Sequence, residues 1–489
     1  MFLPVKSIEF YCYSCSTDSE EILNYLSKIF SRENSSLKRK TIEGTLLTTV
    51  FYGISQILRF SSNLILTRLL FPELFGLMSL ANVFLLGLEL FSDLGIGISV
   101  VQSKRGDEPN FLNTAWTIQI IRGFFLWICT FIIAFPASRF YEEPRLLWLI
   151  PVLGTNTLLG GFRSTSIFTI NRHLHVRIQS IFELLNQLVV IGVMIAWALI
   201  SPTIWSMIAG NLCAGIFSLA YSYTLDRKLY DKGFKHQLMI EPDAFNEIFR
   251  IGKWILLSTM IFFLSKQTDR LILGRLFPIE LLGVYTIAFT LANIPNEVHS
   301  AISLKVLYPA FSRMAHLSRT DFRQKLISYR WYIAVPMAIF LGLLAGFGDL
   351  IITMLYDERY QEATWMFSVL ALGVWPLVLM QSVDKSLLAY GKPVYQTVAS
   401  LSTFLWFALG IPLGFNLAGE LGALLAIASG GIPAWLAISF GLWREKFLAL
   451  GQDIIATGVL ILTLTTTLLV RLILGFSLPF DFVTIASLN

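Results

Sequence analysis

The sequence is poor in charge, in histidine and in cysteine. Charged residues make up 14% of its 489 positions, and it holds five histidines and four cysteines, whereas hydrophobic residues make up 55%. An ordinary soluble domain carries about 25% charged residues, so this composition excludes one. The net charge of +5 is spread over separate loops and forms no basic stripe. We therefore expect no nucleic-acid partner.

Motifs for catalysis and for cofactors are missing as well. The sequence contains no P-loop, no H-E-x-x-H and no G-x-S-x-G segment, and its histidines have no metal-ligand spacing. Cys129 and Cys213 fall inside apolar runs and predict no disulfide framework. We predict a protein without cofactor or resident metal that is not an enzyme.

Long apolar runs are what the chain has in abundance. The mean hydropathy is +0.67, and a membrane-spanning helix needs about 20 predominantly apolar residues. The sequence predicts spans at 43–67, 74–100, 112–136, 146–170, 179–200, 203–224, 251–274, 281–304, 328–348, 363–389, 394–415 and 420–442, with a further run at 451–475. The predicted fold is therefore all-α, a polytopic membrane protein of about twelve transmembrane helices, and the last run leaves thirteen or fourteen open.

One short motif occurs twice, about 207 residues apart. It reads RLLFPELFG at 68–76 and RLFPIELLG at 275–283, and Arg, Glu, Leu and Gly fall at the same offsets in both copies. Each copy lies between two long apolar runs. This repetition indicates an internal duplication, which predicts two pseudo-symmetric six-helix lobes around a central cavity.

The duplication and the charge pattern together divide the chain. About 18 basic loop residues lie on the side of the N-terminus, against about 5 on the other side, which places the N-terminus in the cytosol. The loops on the outer side are short, and this disfavours an enzyme of envelope glycan assembly. The predicted segments are a cytosolic N-terminal extension (1–40), an N-lobe (41–225), a cytosolic linker (226–250), a C-lobe (251–445) and an additional C-terminal hydrophobic segment (446–489).

Ionisable side chains inside the spans are the candidate site residues. Each costs about 2.5–3.5 kcal/mol at a helix centre, so most must face a water-filled cavity or pair with one another. Guanidinium groups bind phosphate oxygens in a forked geometry, so cavity cations predict an anionic cargo. The predicted cargo-binding cations are Arg59, Arg122, Arg163, Lys266 and Arg270. The acidic residues predicted to couple an ion or to pair are Glu89, Asp93, Asp269 and Glu297.

Two features of these spans leave alternatives open. Lys266 and Asp269 are three residues apart on one helix face, so they can form a purely structural ion pair. Gly160-Gly161 in the fourth span and Pro376 in the tenth predict kinks that would let the bundle bend.

Several segments, in their order and spacing, resemble the polysaccharide transporter branch of the multidrug/oligosaccharidyl-lipid/polysaccharide (MOP) exporter superfamily, which includes the Wzx-type flippases of lipopolysaccharide O-antigen. The resemblance covers roughly residues 37–446. Besides the repeated motif, it rests on LKRKTIEG (37–44), DLGIG (93–97), NRHL (171–174), DRLILG (269–274), GVY (283–285), YDERYQEA (356–363) and YGKP (390–393).

The resemblance implies a flippase of the bacterial cytoplasmic (inner) membrane. Its cargo would be an undecaprenyl-diphosphate oligosaccharide, moved from the inner to the outer leaflet by alternating access for surface polysaccharide assembly. Membrane lipids would surround it, and a polysaccharide polymerase and chain-length machinery stay open as further partners. The alternative is an ion-coupled multidrug exporter of the same superfamily, whose cationic cargo would favour a cavity dominated by carboxylates. Because the cavity cations are not a fixed motif of the family, their assignment depends on the burial argument alone.

Overall fold

The computed structural model describes residues 35–173, 176–229 and 236–479, which form helices joined by short connections. Nine helical segments in this part of the chain are long and apolar enough to cross a membrane. The all-α polytopic membrane fold predicted from hydropathy is confirmed. The predicted N-terminal extension, up to residue 34, and the last residues, 480–489, lie outside the described part.

Two spans of the N-lobe are broken. A helix break follows Leu90 in the second span, where Gly95 adopts a positive φ of 60° and donates its N–H to Asp93 Oδ1 at 2.9 Å. A second break follows Gly161 in the fourth span, at the glycine pair where the sequence predicts a kink. The helices of this lobe are α1 (Ser35–Leu69), α2 (Pro72–Leu90), α3 (Ile96–Gln102), α4 (Pro109–Phe140), α5 (Leu146–Gly161), α6 (Ser166–Arg172), α7 (Val176–Ile200) and α8 (Ile204–Leu229).

The C-lobe repeats this plan with more interruptions. Its helices are α9 (Pro242–Leu276), α10 (Ile279–Ala292), α11 (Ile294–Ile302), α12 (Tyr308–Met314), α13 (Arg319–Gly346), α14 (Gly348–Leu355), α15 (Ala363–Gln381), α16 (Asp384–Ala389), α17 (Val394–Ala428) and α18 (Gly431–Arg444), with a π-helical turn at Ser303–Leu307 and a 3₁₀ turn at Glu358–Tyr360. Ala418 and Gly419 leave helical geometry inside α17, and Trp406 Nε1 donates to Ala426 O at 2.9 Å. The chain therefore doubles back there and divides the eleventh span from the twelfth.

Several boundaries differ from the sequence prediction, two of them in helices that line the candidate site. α15 runs through Pro376 without ending, and the tenth span breaks after Gln381 instead. α9 begins at Pro242, so residues 242–250, predicted as linker, form its first turns. The apolar run at 451–475, the thirteenth of the sequence, forms a long helix, α19 (Leu450–Ile473), which follows the C-lobe and packs against α13.

The two copies of the repeated motif contact each other. α2 packs against α10, and the closest approach is at Gly76 and Gly283. A Cβ atom on Gly76 would lie 2.0 Å from Ile279 O, and one on Gly283 would lie 1.8 Å from Pro72 O. No side chain fits at either position without a backbone shift. Because the contact is reciprocal, the motif joins the two lobes around an approximate two-fold axis.

Candidate functional site

A cavity of about 500 Å³ lies between the N-lobe and two helices of the C-lobe. Side-chain amides of three N-lobe helices dominate its polar wall. They can both donate and accept hydrogen bonds, as sugar hydroxyls require. The amide and charged residues that line it are Asn82, Glu89, Asn156, Asn211, Gln267 and Arg270.

Arg122 is tied to the end of α2. Its Nε donates to Ser92 Oγ at 2.9 Å, and its Nη2 donates to Glu89 O at 2.6 Å. Its charge also lies within electrostatic range of the Glu89 carboxylate. These bonds give Arg122 a fixed place at the break between α2 and α3, where it supports the cavity wall.

Arg163 lies just after the break between α5 and α6. Gln119 on α4 holds this break, because its Nε2 donates to Gly160 O at 2.8 Å and to Arg163 O at 3.1 Å. The buried Nε of Arg163 has no hydrogen-bond partner among the described residues. Its charge acts on Glu89 as well. The break thus presents a guanidinium group with unused donors beside the cavity.

One face of α1 points towards the cleft between the lobes. Gln56 Nε2 donates to Glu297 Oε2 at 2.9 Å and so connects α1 to α11 of the other lobe. Arg59 lies nearly one turn further along the same face. Its side chain is exposed and makes no ion pair or hydrogen bond with any residue that the structure describes. The structure therefore leaves the Arg59 guanidinium without a partner among the described residues.

A second cavity, of about 510 Å³, lies within the C-lobe. The charged residues that line it are Lys266, Asp269, Arg270, Glu297, Asp384 and Lys385. Cations and carboxylates are equal in number there, so this cavity is close to neutral. In the described part of the chain, no group of three His, Cys, Asp or Glu side chains could hold a metal ion.

The structural alternative for Lys266 and Asp269 was an ion pair. Asp269 is 2% exposed, and its Oδ2 accepts a hydrogen bond from Tyr285 Oη at 2.6 Å. No direct contact between Lys266 and Asp269 is among the described salt bridges, although the two charges lie within electrostatic range of each other, so a structural pairing stays a prediction. Lys266 is left exposed to the C-lobe cavity.

Arg270 lies on the wall that the two cavities share. It lines both of them, its Nη1 donates to Gln267 Oε1 at 2.9 Å, and its guanidinium lies 5.4 Å from the ring centre of Phe289. The predicted site residues are therefore distributed. Glu89 lines the first cavity, Lys266, Asp269 and Glu297 line the second, and Arg270 lines both. Those that line neither are Arg59, Asp93, Arg122 and Arg163.

Sequence reasoning missed two buried ion pairs of the last helix. Arg330 on α13 pairs with Asp453 on α19, and Arg471 on α19 pairs with Asp349 on α14. All four residues are less than 10% exposed. Asp453 and Arg471 stand inside an apolar run, which is a signal that each needs a partner. The sequence alone could not name that partner.

Comparisons with known proteins agree on one group. The family model described as polysaccharide biosynthesis protein matches residues 65–365. The teichuronic acid biosynthesis protein TuaB of Bacillus subtilis is 23% identical over 345 residues, which are 70% of this chain and 68% of TuaB. The lipopolysaccharide biosynthesis protein WzxC of Escherichia coli is 23% identical over 411 residues, 80% of this chain and 78% of WzxC. The succinoglycan biosynthesis transport protein ExoT of Rhizobium meliloti is 21% identical, over 72% of this chain and 68% of ExoT.

Two solved structures share the fold. The lipid II flippase MurJ, in an inward closed conformation, has a TM-score of 0.59 at 14% identity and covers 87% of this chain and 92% of its own. An inward-facing multidrug resistance transporter of the MATE family has a TM-score of 0.57 at 12% identity, with 82% and 98% covered. At these identities the structural likeness establishes the fold alone, and it does not identify the cargo.

Proposed function

The chain belongs to the polysaccharide biosynthesis protein family, and on that premise we propose that it moves a lipid-linked oligosaccharide across the bacterial cytoplasmic membrane. The cargo passes from the inner to the outer leaflet and feeds surface polysaccharide assembly. The observation that supports this most directly is the cavity between the lobes, which combines side-chain amides with nearby guanidinium groups. Such a wall suits sugar hydroxyls attached to a diphosphate.

The contacts between the lobes support an alternating-access mechanism. At the predicted outer side, the Gly76 and Gly283 backbones touch, and Arg275 Nη2 pairs with Glu142 Oε1 at 2.8 Å. Arg359 Nη2 also reaches across to the carbonyl of Thr67 at 3.2 Å. These contacts close the outer side. Cargo therefore loads from the cytosolic leaflet in this state, and release requires the same contacts to separate.

The cations have different roles in this proposal. Arg59 and Arg163 have unused donors and contact the diphosphate of the cargo, whereas Arg122 supports the wall from its fixed place. Arg270 acts between the two cavities, and Lys266 contributes charge in the C-lobe.

The carboxylates are unequal as well. Asp93 accepts a backbone hydrogen bond at the break after α2, and Asp269 accepts one from Tyr285, so both are occupied by structural contacts. The side chains of Glu89 and Glu297 are exposed and line the cavities, but Glu297 Oε2 accepts a hydrogen bond from Gln56. Glu89, whose carboxylate has no hydrogen bond among the described residues, is therefore the first candidate for coupling transport to an ion, and Glu297 the second.

The topology completes the proposal. The side rich in basic loops, which includes the chain's N-terminus, faces the cytosol. Membrane lipids contact the apolar faces of the helices. A polymerase and chain-length proteins receive the flipped oligosaccharide at the outer leaflet.

The test is an assay of lipid-linked oligosaccharide reaching the outer leaflet, in proteoliposomes or whole cells at matched expression. We expect Arg163→Ala and Arg59→Ala to reduce translocation about tenfold, as loss of a charge-assisted hydrogen bond would. Arg139→Ala is the matched control, because Arg139 lies over Phe135 in the last turn of α4, at the predicted outer end of that helix, and lines neither cavity.

Two results would contradict the proposal. Full translocation by Arg59→Ala, Arg163→Ala and Arg270→Ala would remove the assignment of the cargo-binding cations. Export of a cationic drug by the wild type, with no translocation of any of several glycans, would favour the multidrug exporter. That alternative has support in the shared MATE fold and in the exposed carboxylates Glu89 and Glu297.

A further inference from the structure

The tenth span has an unusual break between α15 and α16. In a continuous helix, the N–H of Val383 would bond to the carbonyl of Leu379, but here it donates to Met380 O at 3.1 Å. The carbonyl of Leu379 is thereby released from the helix ladder. The break also brings Gln381 and Asp384 to the wall of the C-lobe cavity.

Arg330 on α13 occupies this break. Its Nη2 donates to Leu379 O at 3.1 Å, and its Nε donates to Ser382 Oγ at 2.7 Å. The side chain is 2% exposed. A backbone carbonyl released inside a membrane protein must find another donor. The Leu379 carbonyl has two, the Arg330 guanidinium and the Ser382 hydroxyl, which donates to it at 2.8 Å and itself accepts from Arg330.

Asp453 on α19 balances the charge of Arg330. The two form a buried ion pair, and Trp435 Nε1 on α18 donates to the same carboxylate at 3.2 Å. A guanidinium buried without a counter-ion would strongly destabilise the fold. α19 therefore supplies the counter-ion that allows Arg330 to remain buried at the break.

Two further contacts fix α19 along its length. Gly342 and Gly346 of α13 pack against Thr463 and Thr467, where small residues allow close approach. At the far end, Arg471 Nη2 lies 2.6 Å from an Asp349 oxygen. The charged residues of α19 are 18 positions apart, about 27 Å at 1.5 Å per residue, which is close to the thickness of the bilayer core.

We propose that Arg330 and Asp453 are positioning residues for the C-lobe cavity. By holding the break in the tenth span, they keep Gln381 in its hydrogen bond to Asn296 Oδ1, at 2.9 Å, and keep Asp384 at the cavity wall. The thirteenth helix is then a working part of the C-lobe. This inference rests on the proposed function in one respect, since it takes the cavity to be part of the transport path.

The experiment compares the two ion pairs of α19. The double variant Arg330→Met with Asp453→Leu removes the pair at the break. The double variant Arg471→Met with Asp349→Leu removes the pair that anchors the same helix away from the break. Both replace buried charges by apolar side chains of similar size, which buried sites often tolerate.

The readout is the reactivity of one cysteine in native membranes. Met380→Cys places a thiol on the cavity wall beside the break, in a chain whose own cysteines are replaced by alanine. We expect removal of the Arg330 pair to change its labelling rate with a maleimide about tenfold, and to lower oligosaccharide translocation about tenfold, within the range of coupling effects from residues remote from a ligand. Removal of the Arg471 pair should leave both within about twofold.

A third variant separates positioning from folding. Arg330→Lys keeps the charge opposite Asp453, but an ammonium group cannot bridge Leu379 O and Ser382 Oγ as the guanidinium fork does. We expect the labelling rate to change in Arg330→Lys although the chain folds, and this variant decides the matter if the double variant does not fold.

Three outcomes would overturn the proposal: equal labelling in both double variants, unchanged labelling in the variant without the Arg330 pair, or wild-type labelling in Arg330→Lys. Labelling needs no cargo. A labelling change without any glycan translocation by the wild type would therefore contradict the proposed function and still support the positioning role.

Discussion

The two lobes stabilise the same kind of helix break with different chemistry. In the N-lobe, Gln119 of the third span donates to the carbonyls of Gly160 and Arg163 at the break of the fourth span. In the C-lobe, Arg330 of the ninth span donates to the carbonyl of Leu379 at the break of the tenth. In each lobe, a side chain of the third span thus donates hydrogen bonds to backbone carbonyls at the break of the fourth span.

The difference between amide and guanidinium has a large consequence. A neutral amide can be buried with hydrogen bonds alone, whereas a buried cation needs a counter-ion. Gln119 makes its contacts within the N-lobe. Arg330 requires Asp453 from α19, a helix outside the duplicated unit. The helix that follows the twelve predicted spans thus supplies the counter-ion of a buried charge in the C-lobe.

The lobes also differ in the charges that follow each break. The N-lobe presents Arg163, whose Nε is unpartnered among the described residues, while the C-lobe presents Asp384 with Lys385 Nζ at 2.8 Å from it. The N-lobe therefore offers a cation with an unused donor, and the C-lobe offers a directly contacting ion pair. We expect the N-lobe to carry most of the affinity for an anionic cargo.

The largest effect should come from breaking the charge balance in the C-lobe. Asp453→Asn leaves the Arg330 guanidinium buried without its counter-ion, which we expect to lower the free energy of unfolding by about 3–5 kcal/mol. Thermal unfolding of the purified protein in detergent measures this. A midpoint equal to that of the wild type would show that the Arg330 charge is compensated from elsewhere.

Substitutions at the glycine contact between α2 and α10 should lower the stability nearly as much, and by the same amount in either lobe. Gly76→Ala and Gly283→Ala each force a methyl group against a backbone carbonyl of the other lobe, so we expect a loss of about 2–3 kcal/mol for each. Gly192→Ala is the control, because a Cβ there meets nothing within 4 Å. Unequal losses in thermal unfolding would contradict the two-fold symmetry of the contact.

Local patterns predicted much of this architecture. Apolar runs located the spans, because the bilayer imposes their length, and the repeated motif located the two glycines that meet between the lobes. The glycine pair at 160–161 predicted the break of the fourth span. Each of these features depends on residues that are adjacent in sequence or on a repeat that can be read directly.

Long-range contacts account for what the sequence could not predict. The tenth span breaks after Gln381 and not at Pro376, and the released Leu379 carbonyl is bound by Arg330, 49 positions away, as well as by the nearby Ser382 hydroxyl. The spacing on α9 allows an ion pair between Lys266 and Asp269. It could not show that Asp269 accepts a hydrogen bond from the Tyr285 hydroxyl, 16 positions away on another helix. Spacing within one helix does not reveal a competing partner on its neighbour.

A smaller effect should follow from the N-lobe break. Gln119→Ala leaves the carbonyls of Gly160 and Arg163 without their amide donor, and we expect a loss of about 1–2 kcal/mol in the free energy of unfolding. No charge is left unpaired, so the loss should be below that of Asp453→Asn. A loss as large as that of Asp453→Asn in the same unfolding assay would remove the distinction between amide and guanidinium.

The smallest expected effect concerns two corresponding loops at the predicted outer side. Arg145 hydrogen-bonds to Glu143 two positions before it and lowers the pKa of that carboxyl, and Arg359 does the same to Asp357. The Glu143 side chain is 13% exposed and that of Asp357 is 38% exposed. Solvent screening is therefore weaker at Glu143, where we expect the larger contribution.

The pH dependence tests this last comparison between the lobes. A carboxyl whose pKa is lowered by folding stabilises the protein above its unfolded pKa, about 4, and the contribution disappears as the pH falls through the folded value. We expect Glu143→Gln to lower stability at pH 7 by about 0.5–1 kcal/mol and Asp357→Asn by less, as is typical of partly exposed pairs. Unfolding midpoints measured from about pH 7 to about pH 3 should show both gaps closing towards the wild type on acidification. A gap that persists at the acidic end, or a larger one for Asp357→Asn, would mean that the loop of the N-lobe is not the more strongly paired of the two.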